Sequence, residues 1–297
     1  MKTIDVFNVF RILRPQHWIK NIFIFLPMFF SKQLFDVSVL LSCIVAFIAF
    51  SFAASSIYCF NDICDIEKDK LHPEKCKRPI ASGVISTKTA YAIMIICFLL
   101  AMSVLLFFGG NAKYMLIALI LSYYVMNFVY CAKLKRYAII DVVIISIGFV
   151  LRVLVGGTVS GVQPSEWIIL ITFFLALFLA FAKRRDDVVL HKNTGICHRE
   201  NTNLYNLEFM NHTISIIAAI ILFVYIMYVF SPDVVERFNG KTVYFTVIFV
   251  FMGIIRYLQI TIIDLKSGSP EKILLRDRFI QYCIVGWVIS FCGIIYL

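Results

Sequence analysis

Nine consecutive residues, Asn61-Asp62-Ile63-Cys64-Asp65-Ile66-Glu67-Lys68-Asp69, follow directly on an apolar stretch of 24 residues. If the helix of that stretch continues, Asp62, Asp65 and Asp69 stand at i, i+3 and i+7 on one face, with Asn61 one turn from Asp65. Like charges stacked this way repel, and a cation between them removes the repulsion. Mg²⁺ suits such a set, because it takes one or two carboxylates and completes its octahedron with waters and phosphate oxygens. The pattern points to Asn61, Asp62, Asp65 and Asp69 as metal ligands. The competing reading is a solvated helix end with Asp69 paired to Lys68 or Lys70. At the end of a membrane span the metal reading is the better one.

Lys75, Lys77 and Arg78 follow, then Pro79-Ile80-Ala81-Ser82-Gly83. A cation beside a metal site gives a diphosphate its remaining counter-charge, and arginine grips phosphate through two parallel N–H groups. Taken alone, the same residues read as a positive anchor at the membrane face. The nine cysteines and five histidines carry no such chemistry: there is no C-x-x-C pair, no H-E-x-x-H, and most cysteines lie in apolar stretches as small hydrophobes.

The elements that must hold these residues are membrane spans. Hydrophobic residues make up 61% of the 297 and charged residues 15%, against about 45–50% and about 25% in soluble domains. The apolar stretches are long enough for a hydrocarbon core of about 30 Å. They predict nine spans, near 18–31, 37–60, 88–108, 114–131, 137–158, 166–182, 209–230, 242–258 and 279–296, in one membrane domain over 1–297. Arg11 and Arg14 before the first stretch imitate a signal peptide, but Lys20, Asn21 and Pro27 interrupt it and no small-residue cleavage site follows. The fold class expected is all-α, a polytopic bundle of nine transmembrane helices.

Connections on the side of the N-terminus carry 20 Lys and Arg, those on the other side 4. The positive-inside rule then places the N-terminus and the Asp-rich segment in the cytoplasm and the C-terminus outside, in a bacterial-type inner membrane. The net charge of +10 lies on one membrane face and suits anionic lipid heads and phosphorylated substrates rather than nucleic acid. Two long inner connections, 61–87 and 183–208, each follow an even-numbered span. Their spacing suggests a four-helix unit used twice with a ninth helix added.

With these residues in hand, N-D-x-x-D-x-x-x-D at 61–69 and Lys77 to Gly83 resemble the UbiA superfamily of intramembrane prenyltransferases. The resemblance takes in Tyr130 to Arg136, with Lys135, then Asp141, and Gly148 to Gly157 around Arg152. It implies nine helices, Mg²⁺-diphosphate binding at cytoplasmic loops, a side tunnel to lipid, and a catalytic role for Asp62, Asp65 and Asp69. One departure narrows it. Where aromatic-acceptor members carry a second acidic motif after span six, this chain has Lys183-Arg184-Arg185-Asp186-Asp187. With Arg14-Pro15-Gln16-His17-Trp18-Ile19-Lys20-Asn21 at the start, it is similar to the decaprenyl-phosphate phosphoribosyltransferase branch. That resemblance implies phosphoribosyl pyrophosphate and a polyprenyl phosphate as substrates. Arg14, Lys20, Asn21, Lys77, Arg78, Tyr130, Lys135, Asp141, Arg152, Lys183, Arg184, Arg185 and Asp186 would then line them.

The charges agree with that narrowing, since a donor diphosphate, its 5-phosphate and an acceptor phosphate need more cations than a lipid diphosphate and a neutral ring. Arg152, deep in span five, reads more readily as the partner of a structural group. Asp141 is either phosphate-side or structural, and Arg256 is expected to snorkel. The alternatives are a polyprenyl-diphosphate:aromatic-acceptor prenyltransferase, with Asp186 and Asp187 as the remnant of a second metal site, and a transporter of a phosphorylated lipid.

Overall fold

The computed structural model describes residues 6–71, 75–194, 202–238, 243–265 and 270–296. Cys197 lies outside them. Among the described residues every regular element is a helix, and eight helical segments are long and apolar enough to cross a membrane. The chain is an all-α, multi-pass membrane protein. It divides into two compact units, Met1–Lys135 with Gly148–Pro164, and Arg136–Ile147 with Ser165–Leu297.

The first unit holds α1 (Val6–Leu13), a 3₁₀ segment (Pro15–Phe25), α2 (Leu26–Phe30), α3 (Val37–Cys64), α4 (Ile66–Lys70), α5 (Thr87–Leu105), α6 (Gly110–Ala132), and the part of α7 (Ile140–Ser160) from Gly148 onward. Asp36 caps α3 by accepting from the Ser38 and Val39 amides, and Ser86 caps α5 through the Thr89 amide. In lipid, apolar surface gains little by leaving its surroundings, so helices associate by close packing of small residues. Accordingly Ala46, Ala49 and Ala53, at i, i+3 and i+7 on α3, join Ala101 of α5 and Leu116 and Ile120 of α6 in one buried cluster. Ser56 donates to the Met94 carbonyl at 2.8 Å, a polar tie between α3 and α5.

The expected first span is not one α-helix. Eleven residues run as 3₁₀ helix before α2 takes over. At roughly 2.0 Å per residue against 1.5 Å, the whole segment still extends about 30 Å, which is why so short an apolar stretch reaches as far as its neighbours. The tighter winding also sets a register. Residues i and i+3 of a 3₁₀ helix eclipse at about 6 Å of rise, the same rise as i and i+4 of an α-helix. Trp18 Nε1 therefore meets Ser55 Oγ at 3.0 Å while Asn21 Nδ2 meets Ser51 Oγ at 2.8 Å. Ser55 Oγ in turn donates to the Leu13 carbonyl at 2.8 Å.

One turn further on, Ile24 lies against α7 where Gly156 leaves room. A Cβ on Gly156 would stand 2.0 Å from the Ile24 carbonyl oxygen. Gly156→Ala is expected to push the 3₁₀ segment off α7 at a cost of about 1–3 kcal/mol. Thermal unfolding in detergent should fall accordingly and amide exchange over 15–25 should quicken. Gly293→Ala, where a Cβ meets nothing within 4 Å, is the control. Equal behaviour of the two variants would refute the close contact.

The second unit holds α7 up to Ile147, α8 (Glu166–Thr194), α9 (Leu207–Val229), α10 (Pro232–Arg237), α11 (Val247–Ile262), α12 (Pro270–Arg276) and α13 (Arg278–Tyr296). Met210, Ile214, Ile217 and Ile221 form a helical stripe on α9, buried with Phe178 and Phe181 of α8 and Ile254, Tyr257 and Ile260 of α11. Trp287 Nε1 donates to Tyr225 Oη at 2.7 Å. Arg256 does more than snorkel: its Nη2 is 2.8 Å from Asp277 Oδ2, and hydrogen bonding from Arg256 holds the Asp277 carboxyl below the usual range. Expected spans one to four lie in the first unit and six to nine in the second, with α7 divided between them.

Candidate active site

Helix α3 runs four residues beyond its expected end and takes in Asn61 and Asp62. At Asp65 the chain bends (φ −101°, ψ 9°) before α4 begins. Backbone bonds from Asp65 to the Asn61 carbonyl (3.0 Å) and from Asp69 to the Asp65 carbonyl (2.8 Å) carry the ladder around the bend. The bend alters the expected single face. Asp62 and Asp69 converge: Arg78 Nη1 is 3.0 Å from Asp62 Oδ1 and 2.6 Å from Asp69 Oδ2. Asp65 turns instead to Lys135 Nζ at 2.6 Å. Asn61 is half-buried beside them. Among the described residues no three carboxylate, imidazole or thiol groups converge as a ready-made metal cage.

Asp62 is only 2% exposed and Asp69 4%. Burial raises the Asp69 pKa, and the Arg78 guanidinium opposes that rise. Arg14 also bonds Asp62 Oδ1. It reaches there from a left-handed backbone (φ 53°) between α1 and Pro15, a conformation uncommon for a side-chain-bearing residue. Its guanidinium lies 5.4 Å from the centre of the Tyr58 ring. Arg78 is placed by the loop behind it, where Ile80 and Ile85 are buried with Ile12, Cys59 and Ala90.

Two carboxylates thus close on one positively charged nitrogen, and they match the one or two carboxylates that Mg²⁺ takes. The donor set fits that ion. Arg14 and Arg78 also line a cleft of about 470 Å³, together with Arg11, Gln16, His17 and Lys77 among others. Arg11 Nη2 donates to the Lys77 carbonyl at 2.7 Å and closes one wall. Sequence reasoning included Arg14, Lys77 and Arg78 but not Arg11, Gln16 or His17. The one available signal was that Arg11 precedes Arg14 by three residues, nearly one turn of helix.

Asn21 and Arg152 meet elsewhere in the first unit. Arg152 Nε donates to Asn21 Oδ1 at 2.7 Å, and its Nη1 to the Gly148 carbonyl at 2.7 Å. Phe50, Tyr123 and Phe149 surround the guanidinium at 4.6 to 5.3 Å. Both residues are almost wholly buried, so Arg152 fastens the 3₁₀ segment to α7. Tyr130 is half-buried on α6 against the first unit's core, and Lys20 is half-buried on the 3₁₀ segment.

In the second unit, Lys183 to Asp187 lie on α8, which extends well past its expected end at 182. Arg184 Nε donates to Asp141 Oδ2 at 2.5 Å, with Asp141 fully buried. Arg184 Nη1 also reaches Asp187 at 3.4 Å. Tyr205 completes the cluster: its hydroxyl accepts from the Ile139 amide at 2.6 Å and donates to Asp141 Oδ1 at 3.4 Å. Burial pushes the Tyr205 hydroxyl up to about 12, which keeps it a donor. Ile139 has φ 68°, a strained value for a β-branched residue, and the Tyr205 bond holds it there. Arg185 donates to Asn211 Oδ1 and to the Thr261 carbonyl, both at 2.6 Å. The buried guanidinium groups of Arg184 and Arg185 are therefore committed to protein partners, while Lys183 and Asp186 are half-buried. No spacing in the sequence marked Tyr205, Asn211 or Thr261.

Residues 21–280 match the UbiA prenyltransferase family. The chain belongs to that family. It is 28% identical over 292 residues to a decaprenyl-phosphate phosphoribosyltransferase of Corynebacterium glutamicum, covering 98% of this chain and 87% of the relative. It is 30% identical over 304 residues to that of Mycolicibacterium smegmatis, covering 98% and 93%. Among solved structures, a UbiA homolog from Archaeoglobus fulgidus bound to GPP and Mg²⁺ is similar with a TM-score of 0.72 at 20% identity, over 98% of this chain and 100% of that one. This UbiA-family member is a membrane transferase with the fold of that homolog.

Proposed function

We propose that the protein transfers 5-phosphoribose from phosphoribosyl pyrophosphate to a polyprenyl phosphate and releases pyrophosphate, with Mg²⁺. The observation that carries this reading is the pair Asp62 and Asp69 closed on a cation and backed by a cleft of arginine and lysine. Two supports stand beside it. The relatives matched over nearly their whole length are decaprenyl-phosphate phosphoribosyltransferases. The sequence also has Lys183-Arg184-Arg185 where a second acidic metal-binding motif would stand.

Asp62 and Asp69 would hold Mg²⁺, with Asp65 and Asn61 beside them. Mg²⁺, when bound, neutralises the negative charge that grows on the leaving pyrophosphate. Arg14 and Arg78 keep the two carboxylates oriented and add positive charge next to the diphosphate. The ribose C1–O bond to pyrophosphate breaks with its electron pair going to the leaving group, and an oxygen of the lipid phosphate forms the new bond to C1. C1 takes on oxocarbenium-like character on the way, as in other substitutions at an anomeric carbon. The lipid phosphate is already anionic at neutral pH, so no general base is required. The excess of Lys and Arg on the N-terminal side supports a cytoplasmic location for this chemistry and for the N-terminus.

The test is turnover by purified protein given phosphoribosyl pyrophosphate, Mg²⁺ and a polyprenyl phosphate. The expected products are pyrophosphate and a phosphoribosylated lipid. Failure with that pair, combined with turnover of a polyprenyl diphosphate and an aromatic acid, would overturn the reading in favour of aromatic prenylation.

A further inference from the structure

We propose that the cleft formed by Arg11, Gln16, His17 and Lys77, with Arg14 and Arg78 at its back, is a phosphomonoester subsite separate from the carboxylate pair. The proposal takes the identity of its ligand from the phosphoribosyl-transfer reading, but its chemistry stands on the cleft alone. Four cations line the cleft, and two of them, Arg14 and Arg78, are paired with Asp62 and Asp69. A surplus of two positive charges remains on Arg11 and Lys77. A phosphomonoester carries about −1.5 to −2 at neutral pH, so the surplus matches one such group and falls short of a free diphosphate.

The donors are suitably held. Arg11 uses one N–H on the Lys77 carbonyl at 2.7 Å, which fixes the guanidinium at the wall of the cleft with most of its five N–H groups still available to an anion. The His17 ring lies 5.6 Å from that of Tyr58, at 53° to it. A volume of about 470 Å³ is within the usual size of small-molecule sites. Arg14 and Arg78 line the cleft and bond the carboxylates at once, so a substrate carrying a diphosphate and a monoester can be read at both ends by one pair of arginines. Two phosphomonoesters are candidates in the proposed reaction, the 5-phosphate of the donor and the phosphate of the lipid acceptor.

Arg11→Gln tests the subsite in two ways. Isothermal titration with ribose 5-phosphate, and separately with a short-chain prenyl phosphate, needs no turnover. Binding of either ligand that weakens about tenfold or more in Arg11→Gln supports the subsite, even if the protein transfers no phosphoribose, and the ligand affected says which phosphate occupies it. Binding of neither ligand, or equal binding by both proteins, overturns the proposal. The second readout is kinetic: the ratio of kcat/KM for phosphoribosyl pyrophosphate to that for ribose 1-diphosphate, which lacks the 5-phosphate. An about tenfold fall in that ratio in Arg11→Gln assigns the donor phosphate. An unchanged ratio, with KM for the prenyl phosphate raised instead, assigns the acceptor. Lowered kcat alone, with neither KM nor the ratio moved, overturns the subsite and leaves Arg11 a structural residue.

Discussion

Asp62→Asn is expected to lower turnover by about 10²–10³-fold, the loss typical of removing one preorganised electrostatic group from a reacting centre, while the protein still folds. The substitution keeps the size of a side chain that is 2% exposed and removes the charge on which Arg14 and Arg78 converge. Folding should survive, because both arginines are partly open to water, at 15% and 25% exposure, and Arg78 keeps Asp69. The deficit should appear as a rightward shift and a lower plateau in a Mg²⁺ titration of activity, with unchanged elution and thermal midpoint in detergent. Glu67 provides the control. It belongs to the same acidic run but is 83% exposed and paired with Lys70 one turn away, so Glu67→Gln should retain full activity. Full activity in Asp62→Asn would remove the carboxylate pair from the mechanism.

The largest expected effect on stability lies in the second unit. Arg184→Ala leaves Asp141, with no exposure at all, without the guanidinium that now faces it. Removing one partner of a buried ion pair costs about 3–5 kcal/mol, because the remaining charge has neither water nor a counter-ion. Tyr205 offers Asp141 a single long hydrogen bond at 3.4 Å, too little to replace the arginine. The thermal midpoint should drop sharply and amide exchange over 139–147 should rise. Replacing both partners, Arg184→Met with Asp141→Leu, should restore most of the loss, since packed apolar groups of similar volume avoid the desolvation cost. An Arg184→Ala protein as stable as the parent would show that this pair is not what keeps Asp141 buried.

How much of this was legible beforehand follows from the range over which each property is set. Apolar length is a local property when the solvent is a bilayer. The approximate span positions and the all-α class could therefore be read from composition and spacing, although α8 runs twelve residues past its expected end. The Asp62–Asp69 segment was legible for the same reason: its spacing is that of one helix, and Arg78 lies only nine residues from Asp69. Even there the bend at Asp65 was not, because nothing local distinguishes a helix that continues from one that turns over Lys135, 70 residues away.

Winding of the first segment depended on a partner too. The 3₁₀ form is the one that brings Trp18 and Asn21 into step with Ser55 and Ser51, and that step exists only once α3 is alongside. Arg152 shows the limit most plainly. Sequence logic says that an arginine inside a span must find partners in the protein. It does not say that they are Asn21, 131 positions away, and three aromatic rings. By itself the sequence determined that the chain is a bundle of membrane-spanning helices and which residues are too charged to be idle. The tertiary structure alone decided which carboxylate faces which cation, because a buried charge is settled by the nearest opposite charge in space, and distance along the chain does not measure that.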